Sequence, residues 1–135
     1  MDLIKEAEIF LEKCNALTVS SITEKGYPRI CVLIKLKAQG IKTIYFSTGT
    51  SSNKIAHYKS NSKAGVTFFN DNDSVTLIGN MMVIEDKKTK DELWQAWLLK
   101  HFPNGGKDDP EYAIIKFEAN EATIYIKEHF ETIKI

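Results

Sequence analysis

Cysteine is scarce in this 135-residue chain: Cys14 and Cys31 are the only two, too far apart for a Cys-x-x-Cys site. Two free thiols in a reducing cytoplasm are the plain reading. Three prolines and seven glycines supply no linker rich in either residue. Repeats and low-complexity segments are absent too, so one domain spanning residues 1–135 is expected. No stretch approaches the about 20 apolar residues of a membrane span. The start Met1-Asp2-Leu3-Ile4-Lys5-Glu6 lacks the basic and apolar regions of a signal peptide. His57, His101 and His129 lie far apart and form no zinc motif, so no metal site is expected. Neither Gly-x-Ser-x-Gly nor Gly-x-Gly-x-x-Gly occurs, which argues against a serine hydrolase and a Rossmann dinucleotide site. Excess charge is missing as well, since 18 basic and 18 acidic residues cancel. Nothing therefore draws the whole chain to nucleic acid or a membrane surface. An anionic ligand has to be held by a local site.

What is present is strand-forming sequence. Leu3, Ile4, Ala7, Phe10, Leu11 and Cys14 recur at helical spacing and predict one amphipathic helix. Leu17 to Ile22 then reads as a strand, closed by a turn at Glu24-Lys25-Gly26. Arg29 to Leu36 is almost continuously apolar, which predicts a strand packed on both faces. A turn around Gln39-Gly40 leads to the strand Thr43 to Ser47, and Lys54 to Lys59 reads as a short helix. Ala64 to Asn70 and Val75 to Ile84 form a hairpin about Asp71-Asn72-Asp73. Thr89-Lys90-Asp91-Glu92 matches a capping box, with Leu93, Trp94, Trp97 and Leu98 as the apolar stripe of its helix. Phe102 to Pro110 is a loop, and Tyr112 to Phe117 and Ala122 to Ile126 complete the sheet. The fold class expected is mainly β: a small antiparallel barrel of about six or seven strands with a few peripheral helices.

Two places can hold an anion. Thr48-Gly49-Thr50-Ser51-Ser52-Asn53 feeds a helix N-terminus, where backbone N–H groups and the helix dipole favour negative charge. A phosphate there can take Thr48, Ser52 and the Lys54 ammonium. Composition alone favours the plainer reading, a cap on a surface helix with Lys54 solvated. Arg29 heads an apolar strand, where an arginine usually reaches for solvent. Its planar fork nevertheless suits a phosphate if that strand end abuts the loop. Cys31 reads as core filler, and Trp94 and Trp97 as core before ligand platform.

The order of these pieces resembles a known family. Gly26-Tyr27-Pro28-Arg29-Ile30-Cys31-Val32 is similar to the turn and flavin-lying strand of the FMN-binding split barrels of the pyridoxamine 5'-phosphate oxidase-like superfamily. Tyr45-Phe46-Ser47-Thr48 through Asn53-Lys54 resembles their phosphate segment, and Ser74-Val75-Thr76-Leu77-Ile78-Gly79-Asn80 the next hairpin strand. Glu92-Leu93-Trp94, Phe102-Pro103-Asn104-Gly105-Gly106 and Asp109-Pro110 resemble the signature of the general stress protein group.

The resemblance implies a split β-barrel homodimer with FMN between the subunits. Arg29 and Lys54 would bind the FMN phosphate, lined by Ser47, Thr48, Ser52 and Asn53. The backbone of Ile30, Cys31 and Val32 would meet the ring and ribityl chain. Ser74, Trp94 and Trp97 would face the partner's flavin. Two departures stand out. Asn53 occupies a position where the oxidases carry Arg, and no Arg-x-His segment of the kind they use for pyridoxine follows, so vitamin B6 oxidation is not expected. The function implied is a flavoprotein oxidoreductase with a small-molecule redox substrate and no assigned catalytic acid or base. The alternatives are a non-enzymatic flavin sensor or store, and a haem-binding relative with His101 or His129 as axial ligand.

Overall fold

The computed structural model describes all residues, Met1–Ile135. Helix α1 (Leu3–Lys13) starts where the Asp2 carboxylate accepts the Lys5 amide at 3.2 Å. It buries Leu3, Ala7 and Leu11, one above the other at helical spacing, against the main core. Seven antiparallel strands follow: β1 (Ala16–Ile22), β2 (Pro28–Gln39), β3 (Thr43–Gly49), β4 (Lys63–Asn70), β5 (Asp73–Ile84), β6 (Tyr112–Ile126) and β7 (His129–Lys134). Helix α2 (Asn53–Ser60) joins β3 to β4, and α3 (Lys87–Leu93) follows β5. The sheet order is β3-β2-β1-β4-β5-β6-β7, and β3 also pairs with β6. The first six strands therefore close into a barrel, and β7 extends it from β6.

That closure depends on the length of β6. One of its edges pairs along β5, from Ile114 to Tyr125. The other edge is divided, with Tyr112 to Glu118 on β3 and Glu121 to Ile126 on β7. At the division the register slips by one residue: Ile78 faces Glu121 while Gly79 faces Ala119. Such a bulge bends the strand and lets the sheet curl. Gly79 sits in the bend, where an added Cβ would overlap the Glu118 carbonyl. Inward-facing Val19, Phe46, Val66, Leu77, Phe117 and Ile124 fill the barrel. A smaller core outside it gathers Leu36, Leu93, Leu98, Phe102, Tyr112 and Ile114.

Four expectations need correction. The β2 strand is not packed on both faces within the chain: Ile30, Val32 and Ile34 are 65%, 66% and 43% exposed on its outer side. Asp86, not Thr89, caps α3, accepting the Thr89 amide at 2.9 Å, so the capping-box threonine is a donor. The tryptophans do not share a helix, because α3 ends at Leu93 with Trp94 extended (ψ 134°) and Trp97 lies in a separate 3-10 turn, Ala96–Lys100. Finally, the two last expected strands are one strand, β6, and β7 is an additional one.

Candidate functional site

The site begins where β3 leaves the barrel. Ser47 and Thr48 stand opposite Ile114 and Ala113 on β6, and the chain then turns through Gly49 to Ser52 into α2. Ser52 is the N-cap, and its hydroxyl accepts both the Lys54 amide (3.3 Å) and the Lys54 ammonium (2.8 Å). Lys54 thus lies over the helix start and makes no ion pair. Most of the loop's backbone donors are already engaged: Thr50 to the Glu111 carbonyl, Ser51 to the Glu111 carboxylate, and Ser52 to Gly49. The Asn53 amide, at the start of the helix, is left for a ligand.

Arg29 approaches α2 from β2. It stands directly opposite Ser21 on β1, so the two side chains share a face. The buried Ser21 hydroxyl is 3.0 Å from His57 Nδ1, which fixes that face toward α2. Tyr58 of α2 donates its hydroxyl to the Ser20 carbonyl at 2.9 Å. Burial pushes the Tyr58 phenol far above its usual range, the Cys31 thiol adds to that, and Arg29 opposes both. Arg29 and Cys31 therefore lie near Tyr58, and Lys54 is one helical turn from Tyr58 on the same side. Arg29 makes no ion pair either, so two uncommitted cations flank α2.

A cleft of about 340 Å³ lies between β2, β3 and the 3-10 turn, and β3 connects it to the loop before α2. Val32, Leu33 and Ile34 form one wall, Ser47, Thr48 and Gly49 another, and Trp97, His101, Phe102 and Glu111 the rest. Its volume is at the small end of ligand pockets. A neighbouring hollow shares Ile34, Trp97 and His101 with it and adds Lys35, Gln95 and Lys100. Trp97 and His101 stand edge to face at 6.0 Å along the common wall, with the indole N–H donated to Gln95 at 2.6 Å.

The expected residues thus fall into three groups. Val32, Ser47, Thr48 and Trp97 line one cleft. Ser52 and Lys54 meet at the start of α2, Arg29 and Cys31 lie near Tyr58 further along that helix, and Asn53 opens instead onto a second hollow with Lys25, Tyr27 and His57. Ser74 and Trp94 lie apart, and Ile30 is just outside the cleft. Ser74 faces Tyr125 while Thr48 faces Ala113, leaving up to roughly 40 Å of β6 between them. Trp94 packs edge-on against Tyr112 at 5.2 Å in the small core. The Ile30 side chain points to the same outer side of β2 as the cleft residues Val32 and Ile34. Phe102 and Glu111 were not anticipated as site residues, and His101 only as an axial ligand in the haem-binding alternative. Glu111 follows Asp109, whose buried carboxylate ties down the Asn104 and Glu111 amides, each at 2.9 Å. No three His, Cys, Asp or Glu side chains come together as a metal site would require.

A closed six-stranded antiparallel barrel, with its last strand pair split off along β6 and a polar loop leading into α2, defines the split-barrel class. The chain belongs to the pyridoxamine 5'-phosphate oxidase like family, whose model matches residues 17–134. A Clostridium acetobutylicum protein, described as related to general stress protein 26 of Bacillus subtilis, is 30% identical with a TM-score of 0.89. The match covers 98% of this chain and 94% of that one. General stress protein 26 of Bacillus anthracis matches over the full length of both chains at 18% identity and TM-score 0.83. A heme binding protein of Mycobacterium smegmatis shares the fold at 11% identity and TM-score 0.78, over 99% of this chain and 58% of that one. The comparison with curated proteins gave no match. The family is flavin-binding in general, its members commonly dimerise, and no helix here is long and apolar enough to cross a membrane.

Proposed function

We propose that the chain is an FMN-binding oxidoreductase that works as a homodimer on a small-molecule substrate. The observation that carries this reading is that β3 runs from an apolar cleft walled by Val32, Leu33, Ile34 and Trp97 directly into the loop and helix start that carry Lys54, an ammonium with no ion pair. A flavin mononucleotide has those two halves: a phosphate dianion and a flat, largely apolar ring. Lys54 and Arg29 neutralise the phosphate, Thr48 and Ser52 supply hydroxyls, and the β2 wall with Trp97 excludes water from the ring. Bound flavin supplies hydride and electron exchange, and the protein supplies its position and surroundings.

The dimer follows from the outer side of the sheet. Ile30, Val32 and Ile34 on β2, with Phe69, Ile78, Met82, Tyr125 and Phe130 on strands β4 to β7, leave apolar side chains in water. A two-fold contact covers such a surface with its own copy, and brings Ser74, remote from the cleft in one chain, within reach of the partner's site. The free cysteines accord with a cytoplasmic setting.

The absorption spectrum of the protein purified without added cofactor tests the class of ligand. Flavin bands support the proposal. A Soret band favours the haem reading, in which His101, already on the cleft wall, is the axial ligand. Rapid reduction of the bound flavin by NADH or NADPH marks an oxidoreductase, and a flavin that neither donor reduces marks a sensor or store.

A further inference from the structure

The loop that leads into α2 already holds an anion, and that anion belongs to the chain. Glu111 Oε1 accepts the Ser51 amide and the Ser51 hydroxyl, each at 2.6 Å. The Ser51 hydroxyl first, and its amide second, hold the Glu111 carboxyl below the usual carboxylate range, so it is charged at neutral pH. Lys54 does not neutralise it, because that ammonium rests on Ser52.

The fit around this carboxylate is close. A Cβ on Gly49 would come within 2.6 Å of Glu111 Oε1, while Gly49 itself has no positive φ and its backbone suits any residue. The carboxylate occupies the space that a side chain at position 49 would take. The Glu111 backbone, meanwhile, is pinned on both sides: its amide is donated to Asp109 at 2.9 Å and its carbonyl accepts the Thr50 amide at 2.9 Å. The side chain can therefore rotate away while the loop and β6 stay in place. Removing it frees the Ser51 amide and hydroxyl, next to the unpaired Asn53 amide and Lys54.

We infer that Glu111 is a specificity-determining residue, a tethered carboxylate that competes with the ligand's phosphate for the Ser51 donors and sets how tightly the loop takes a phosphomonoester. The inference rests on the FMN-phosphate reading above. A phosphate of about −1.5 to −2 charge with three acceptor oxygens can use Ser51, Asn53 and Lys54 together. The carboxylate engages only Ser51. The phosphate therefore wins at sufficient concentration, but against a charge that opposes it.

Two substitutions separate competition from bracing. Glu111→Gln removes the charge and keeps an acceptor for Ser51. Glu111→Ala removes the carboxylate and leaves its space beside the Ser51 donors to a ligand oxygen. Competition predicts that each variant binds FMN about tenfold tighter than wild type, at the low end of one charge-assisted hydrogen bond. Because Glu111 also lines the cleft for the ring, the gain should be read as a rise in the ratio of FMN to riboflavin affinity, and inorganic phosphate should raise the melting temperature of both variants more than that of wild type. Should E111Q fail to fold, E111A carries the same test. Unchanged or weaker FMN binding in the folded variants makes Glu111 a brace and overturns the inference, with FMN binding itself intact. If no protein binds FMN but phosphate still stabilises the variants more, the cofactor reading fails and the competition stands. No response to FMN or phosphate in any of the three overturns both.

Discussion

Replacing Ile30 with aspartate should separate the subunits without unfolding them. Ile30 points outward from β2 opposite Ser20, is 65% exposed in the single chain, and belongs to neither core. Full burial of such a side chain is worth about 1.5–3 kcal/mol, so covering its exposed two-thirds is worth roughly 1–2 kcal/mol. A two-fold interface contains the residue twice, which doubles the loss to roughly 2–4 kcal/mol, before any cost of burying two carboxylates. The dimer dissociation constant should rise by at least about thirtyfold and, at the upper end, nearly a thousandfold. Sedimentation equilibrium across nanomolar to micromolar concentration measures this, with circular dichroism to show that each chain keeps its fold. A wild-type dimer of twice 15.3 kDa and an I30D protein shifted to monomer are the expected results. An equally tight dimer in both proteins would refute burial of this face, and a wild-type monomer that still holds stoichiometric FMN would refute the shared site.

Lys54→Ala should weaken FMN by roughly 1.5–3 kcal/mol, about ten- to a hundredfold, and leave riboflavin unaffected; fluorescence titration of both ligands checks it. Gly79→Ala drives a methyl into the Glu118 carbonyl at the bulge, where backbone meets backbone, and should cost about 1–3 kcal/mol or more, read as a lower denaturation midpoint at unchanged m-value. The tryptophans should differ: Trp97→Phe should change the emission of bound flavin, because Trp97 lines the cleft. Trp94→Phe should lower the melting temperature and leave that emission alone, because Trp94 packs on Tyr112. Equal flavin emission in the Trp97 variant and wild type would remove that indole from the site.

Much of the barrel was readable because its turns use ordinary chemistry. Gly26 and Gly40 adopt positive φ where the sequence marks turns, and the β4–β5 hairpin turns at Asp71, a residue that tolerates it. The missed strand has the opposite cause. Lys127 and Glu128 join β6 to β7 with φ of 51° and 68°, a conformation that sequences usually announce with Asn-Gly. Glu118 to Glu121 reads as a polar break, but it is the bulge that lets one strand serve both β3 and β7. The Leu93–Leu98 stripe has helical spacing, yet Leu93 and Leu98 reach the small core from two short elements on either side of an extended Trp94. Ser47, Thr48, Ser52 and Lys54 could be grouped from the sequence because they fall in one short segment, which the structure folds as the end of β3 and the start of α2. Glu111 could not, since its bond to Ser51 spans 60 residues and exists only once β3 and β6 pair.

The most direct test of the account is a calorimetric titration of the cofactor-free protein with FMN and, separately, with riboflavin. A phosphate held by Arg29 and Lys54 beside a cleft for the ring predicts one FMN per chain, bound at least about tenfold tighter than riboflavin. Equal affinity for the two flavins, or no binding of either, would contradict it.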